Sequence, residues 1–118
     1  MIRLADNIPS DASSERSPKF DRGQLVQHKR YRYRGVIVDF DLKCMADEEW
    51  YQANMTQPDK NRPWYHVLVH GTVSTTYAAE ENLRPDTSRK PIEHPLVAHF
   101  FTEFVDGRYE RNDQPWPV

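Results

Sequence analysis

One cysteine, four glycines, no long apolar run and no excess of positive charge: each scarcity in this 118-residue sequence removes a class of answer. Cys44 has no second cysteine to pair with, which excludes an internal disulfide and favours a reducing compartment, the cytoplasm. Four glycines leave no glycine-rich loop to cradle a phosphate. The opening "MIRLADNIPSDASSERSPK" lacks the apolar centre of a secretory signal, and no stretch is long and apolar enough to cross a bilayer, so no membrane partner is expected. A net charge of −2 and a pI near 6.2 do not give the basic footprint of a dedicated nucleic-acid binder, so any such binding must be local.

What is present is unevenly spread. Hydrophobic residues are 37% and charged ones 29%, so a core requires the apolar positions to be concentrated, and they are. Residues 1–18 are rich in serine and poor in large apolar side chains, and read as a disordered tail. Residues 19–109 read as one domain, and 110–118 as a flexible tail. Within the domain, "GQLVQH" alternates as a half-buried strand over about 24–28, and "RGVIVDFD" follows with Val36, Val38 and Phe40 on one face and Gly35, Ile37 and Asp39 on the other. A long excursion over 41–63 contains a short helix announced by Asp47, Glu48 and Glu49 ahead of Trp50 and Tyr51. Three further strands read from "WYHVLVHG", "VSTTYAA" and "ENLRP". The spacing of Leu96, Val97, Phe100, Phe101 and Phe104 predicts an amphipathic helix from Pro95 to a stop at Gly107. The class is mainly β: a small, five-stranded SH3-like barrel with an inserted helix and a C-terminal helix over an open edge.

The residues able to carry chemistry do not assemble into a reaction. Cys44 has no signature of a nucleophile around it, and a free cysteine more often packs as a small hydrophobe. His66 and His70 are four apart, a zinc spacing on a helix, but on a strand they stand roughly 13 Å apart. His94 and His99 lack a paired cysteine or an HExxH pattern, and Asp39 and Asp41 read as exposed acids on one strand face. The expectation is a non-enzyme with no cofactor and no metal. Trp64 is expected in the core, and Trp116, between two prolines, exposed or loosely docked.

The most unusual stretch is "HKRYRYRG". Lys29, Arg30, Arg32 and Arg34 place four positive charges within residues 28–34, while residues 39–49 carry a balance of −4. If the strand pleat continues through the stretch, the arginines project together and Tyr31 and Tyr33 oppose them. Two readings follow: a phosphate clamp with an aromatic beside it, or a solvated strand face whose tyrosines finish the core.

The order of the blocks "GQLVQHKRYRYRGVIVDFD", "PWYHVLV" and "TYAAEENL", from Phe20 to Arg84, resembles the hemimethylated-DNA-binding domains of the YccV-like, or HspQ-like heat-shock, family. With the later "HPLVAHFFTEF" it is similar to the variant found at the C-terminus of eukaryotic F-box proteins. The resemblance implies an SH3-like barrel and two kinds of function. One is binding of double-stranded, hemimethylated DNA, for which Lys29, Arg30, Tyr31, Arg32, Tyr33 and Arg34 are the expected contacts. The other is a protein-interaction adaptor in stress response that modulates ATP-dependent proteolysis. It would meet a protease or its substrates through Trp64, His66 and Tyr77 or through Phe100 and Phe104. Neither reading fixes an oligomeric state.

Overall fold

The computed structural model describes residues 17–54 and 58–117; the tail expected over 1–18 lies, except for its last two residues, outside them. No described helix is long and apolar enough to cross a membrane. Among the described residues seven strands form: β1 (Leu25–His28), β2 (Arg34–Asp41), β3 (Trp64–Val69), β4 (Thr75–Ala79), β5 (Leu83–Pro85), β6 (Phe101–Val105) and β7 (Arg108–Arg111). The first five make one antiparallel sheet in the order β4-β3-β2-β1-β5, with a 3-10 turn (Glu80–Asn82) joining β4 to β5. The helices are α1 (Glu48–Ala53) and a single turn, α2 (Val97–Phe100).

Each face of the sheet buries its own core. On the first, Leu25, Val36, Val38 and Leu68 meet Ile92, Phe100, Phe101 and Tyr109 from the C-terminal segment. On the second, Val26, Ile37, Tyr65, Val67, Ala78 and Leu83 enclose Phe20. All five strands contribute to this second cluster, so the sheet curls around it. Its pairing nevertheless stops at β4 and β5, so the sheet is not closed into the barrel expected from the strand count. A buried carboxylate holds the incoming chain: Glu80 accepts from the Tyr65 hydroxyl at 2.6 Å and from the Lys19 backbone N–H at 2.9 Å. Burial, with the Glu80 hydrogen bond, pushes the Tyr65 hydroxyl far above the ordinary phenol range.

Two sequence expectations are corrected. Phe40 does not share a face with Val36 and Val38, because β2 bulges between Ile37 and Asp39, and Phe40 packs with the Ile37 cluster. The helix expected from Pro95 to Gly107 is one turn long and gives way to the β6–β7 hairpin. Asp106 (φ 54°) and Gly107 (φ 78°) both lie in the left-handed region, and Val105 pairs with Arg108 across them. That is the geometry of a two-residue hairpin turn, for which Asp-Gly is a favoured pair. The packed region continues past Tyr109. Arg111 donates to the Val38 carbonyl and to Asp39, each at 3.0 Å, and its guanidinium lies over the Phe100 ring. Trp116 then packs edge-on against Phe100 with 37% of its surface exposed.

The excursion over 41–63 is tied to the sheet by aromatic contact. Asp47 caps α1 by accepting from the Trp50 N–H at 2.8 Å, and the Trp50 ring sits 5.9 Å from Trp64 and 5.8 Å from Tyr77. Lys60 is paired with Glu48 and lies over Tyr51.

Gly23 joins sheet to hairpin: its N–H donates to the Ile37 carbonyl and its own carbonyl accepts from the Tyr109 N–H. Its φ is +88°, and a Cβ there would stand 2.0 Å from the Tyr109 carbonyl oxygen. Gly23→Ala is expected to cost about 2–4 kcal/mol, from left-handed strain and the forced separation of hairpin from sheet. Urea unfolding measures it, and a variant as stable as the parent would show that the hairpin does not dock there.

Candidate nucleic-acid interface

The chain leaves β1 at His28 and enters β2 at Arg34, and the five residues between form a turn that breaks the pleat. The Arg32 N–H donates to the His28 carbonyl, the His28 N–H donates to the Tyr33 carbonyl, and Arg32 itself has φ of 68°. The backbone at Lys29 is fixed to the 3-10 turn by donation to the Asn82 carbonyl at 2.8 Å. The even spacing of basic and aromatic residues therefore does not place the arginines on a shared strand face.

His28 organises this turn from inside. Its ring is buried, and its Nδ1 accepts two backbone N–H groups, from Arg30 at 3.1 Å and Tyr31 at 3.0 Å. An atom accepting twice carries no proton, so the ring is neutral in this arrangement. It is flanked by Tyr31 at 4.7 Å and Tyr33 at 5.1 Å. Burial, then the nearby Arg30 charge, lowers the His28 pKa. Tyr33 is half-buried with its hydroxyl 2.8 Å from Thr76 Oγ1, whereas Tyr31 is 53% exposed with Arg30 over its ring.

The four basic side chains divide into two groups. Arg34 donates to Asp86 and to the Lys90 carbonyl, both at 2.6 Å, and its side chain is 20% exposed. Burial raises the Asp86 carboxyl, but hydrogen bonds from Ser88 and Arg34 outweigh it and hold the pKa below the usual value. Lys29, Arg30 and Arg32 are exposed, and none forms an ion pair among the described residues. Two of the acids within residues 39–49 are engaged. Asp39 pairs with Arg111 and Arg22, and Asp41 accepts from the Tyr77 hydroxyl at 2.7 Å with His66 Nε2 3.4 Å away.

A groove of about 500 Å³ runs beside the turn, lined among others by Tyr31, Tyr33, Trp50, His66, Thr76 and Tyr77. Of the residues expected to meet a protein partner, His66 and Tyr77 line it. Trp64 and Phe100 have no exposed surface, and the Phe104 ring packs tilted against Tyr109. His70 accepts from the Glu93 N–H and so serves a separate loop from His66. Sequence reasoning missed Asp86 as the partner of Arg34, and His28 as the cap of the turn. No Asn-Gly or Asp-Gly pair marks that turn, and Asp86 is 52 residues from Arg34.

These contacts set two expectations. Arg34→Ala should cost about 1.5–3 kcal/mol by leaving Asp86 unpaired, while alanine at Lys29, Arg30 or Arg32 should change stability by less than about 0.5 kcal/mol. Denaturant midpoints of the four variants check this. The second concerns pH: the folded pKa of His28 lies below the unfolded value of about 6.5, so as pH falls the unfolded chain takes the proton first. The stability linked to neutral His28 is complete above about pH 6.5 and is lost as pH falls from there toward the folded pKa. His28→Gln should flatten that part of a stability-against-pH curve, and an unchanged slope would show that His28 is not the titrating group.

The model of a family described as "Hemimethylated DNA-binding protein YccV like" matches residues 18–108. Proteins named F-box only protein 21 from Pongo abelii, Homo sapiens and Mus musculus are each 37% identical over 93 residues, covering 76% of this chain. The match covers 15% of the length of those relatives. Because the family match takes in the five-stranded sheet, the His28 turn and most of the C-terminal hairpin, the chain belongs to the YccV-like hemimethylated-DNA-binding family.

Proposed function

We propose that the chain is a non-enzymatic binder of double-stranded DNA that holds phosphates with Lys29, Arg30 and Arg32 and prefers a duplex methylated on one strand. The observation that carries this reading is the set of three exposed cations, without an ion pair among the described residues, on a turn whose backbone is fixed by His28. Arg34 is assigned to the scaffold, since it is committed to Asp86. The curled sheet serves as an open SH3-like barrel that carries the turn at its rim. Tyr31 supplies the apolar surface that a base methyl group meets in the major groove.

Magnitudes limit the selectivity. One buried methyl group is worth about 0.8 kcal/mol, roughly fourfold in affinity. Three phosphate contacts make the logarithm of affinity fall with the logarithm of salt concentration by a slope of about −2.7. Fluorescence anisotropy on unmethylated and hemimethylated duplexes should return that slope and a preference of about fourfold for the hemimethylated over the unmethylated one. Replacing Lys29, Arg30 and Arg32 together by alanine should remove most binding while the protein stays folded. Salt-independent binding, or a triple variant that binds as the parent does, would overturn the assignment.

A further inference from the structure

β4 ends the sheet on one side, and its outer edge runs along the groove. The pairing with β3 fixes which backbone groups face outward. The Val69 N–H donates to the Ser74 carbonyl and the Glu80 N–H to the Pro63 carbonyl. Between these points the register is unbroken, from Trp64 opposite Ala79 to Leu68 opposite Thr75. Positions 74, 76, 78 and 80 therefore turn their backbone groups toward β3, and Thr75 and Tyr77 turn theirs away. Among the described residues no strand pairs with that side.

This edge also lacks the usual protection. Its sequence, Thr75-Thr76-Tyr77-Ala78-Ala79, contains no charge and no proline, and the strand has no bulge. The opposite edge, β5, is three residues long, carries Arg84 and ends in Pro85.

Two walls flank the open edge. On one face stands the His28 turn, where Tyr33 meets Thr76, and on the other stands α1, where Trp50 meets Tyr77. Both Tyr31 and Trp50, at 53% and 40% exposure, offer ring surface there. The elements that form the walls differ in charge: exposed Lys29, Arg30 and Arg32 flank Tyr31 on the first and exposed Asp47 and Glu49 flank Trp50 on the second, beside the groove's own uncharged lining. A strand laid between them would direct alternate side chains to opposite walls.

We propose that the β4 edge accepts an extended peptide as a sixth strand, with acidic side chains toward the 29–32 turn and basic or apolar ones toward α1. Main-chain hydrogen bonds to Thr75 and Tyr77 hold the peptide, and the two walls select its charge pattern. A second copy of the chain fits less well. Edge-to-edge pairing about a two-fold axis normal to the sheet would set acidic wall against acidic wall and basic against basic.

The probe is a blocked octapeptide in which glutamate alternates with lysine and valine, added to the full chain. At a peptide concentration about ten times its Kd, amide exchange at Thr75 and Tyr77 should slow about tenfold. N-methylation of one alternate set of peptide residues should weaken binding at least about tenfold, and of the other set much less. Thr75→Pro, at the first residue of the strand, should weaken peptide binding about tenfold and leave duplex binding unchanged. Unchanged exchange at saturation, or equal loss from both methylated sets, would overturn the proposal. It would also be overturned if Thr75 and Tyr77 were protected by self-association without peptide, or by duplex DNA alone.

Discussion

Both cores depend on one irregularity in β2. Between Ile37 and Asp39 the register with β3 slips by one residue, so that Val38 and Asp39 both lie toward the first face. Strict alternation would instead have sent Asp39 into the second core beside Tyr65, burying a carboxylate without a cation. With the bulge in place, Asp39 meets Arg111 and Arg22, which bind the C-terminal hairpin and the entry to β1. Phe40 meanwhile reaches Tyr65, with ring centroids 6.0 Å apart. A bulge also sharpens local twist, which is what a sheet needs if all five strands are to reach one central cluster.

The same allocation of charge bears on how a chain of net charge −2 carries a locally basic turn. Several carboxylates are spent on structure: Glu80 on Tyr65 and Lys19, Asp39 on Arg111, Asp86 on Arg34, Asp47 on the N-terminus of α1. Arg34 and Asp86 are the clearest pair, since at 20% and 10% side-chain exposure neither could remain charged without its partner at low cost. Among the described residues, Lys29, Arg30 and Arg32 stay outside these ion pairs, on a turn that the local hydrogen bonds already hold.

How legible all this was in the sequence differed by element. β2 was placed from its apolar alternation alone, and β3, β4 and α1 within a few residues, because side-chain pattern and flanking turn residues agreed there. The C-terminal hairpin was not, because Leu96, Val97, Phe100, Phe101 and Phe104 satisfy a helical spacing while Asp106-Gly107 admits two uses, helix stop or hairpin turn. Long-range packing decided between them: Tyr109 reaches Phe101, Phe104 and the Ile92 backbone only from a returning strand. The site was half legible. Its basic and aromatic composition stood in plain view, but the commitment of Arg34 rests on a contact with a residue 52 positions away. The role of His28 rests on two backbone donors that composition does not reveal.

For the proposed reading of one methyl group, a rigid turn matters because the discrimination at stake is small. Holding one long side chain in place on binding costs about 0.5–1.5 kcal/mol, comparable to or larger than the roughly 0.8 kcal/mol that a methyl group offers. In the proposed DNA-binding role, three flexible cations would hold a duplex without reporting whether one methyl is present. Tyr31 is better placed for that proposed role, because its backbone N–H is bound by His28 and its ring is stacked on the same imidazole. Protonating His28 would remove both hydrogen-bond acceptances at once and release Tyr31 together with Arg30. The rigidity of the turn thus resides in one buried ring, His28, and the exposed charges lie around it.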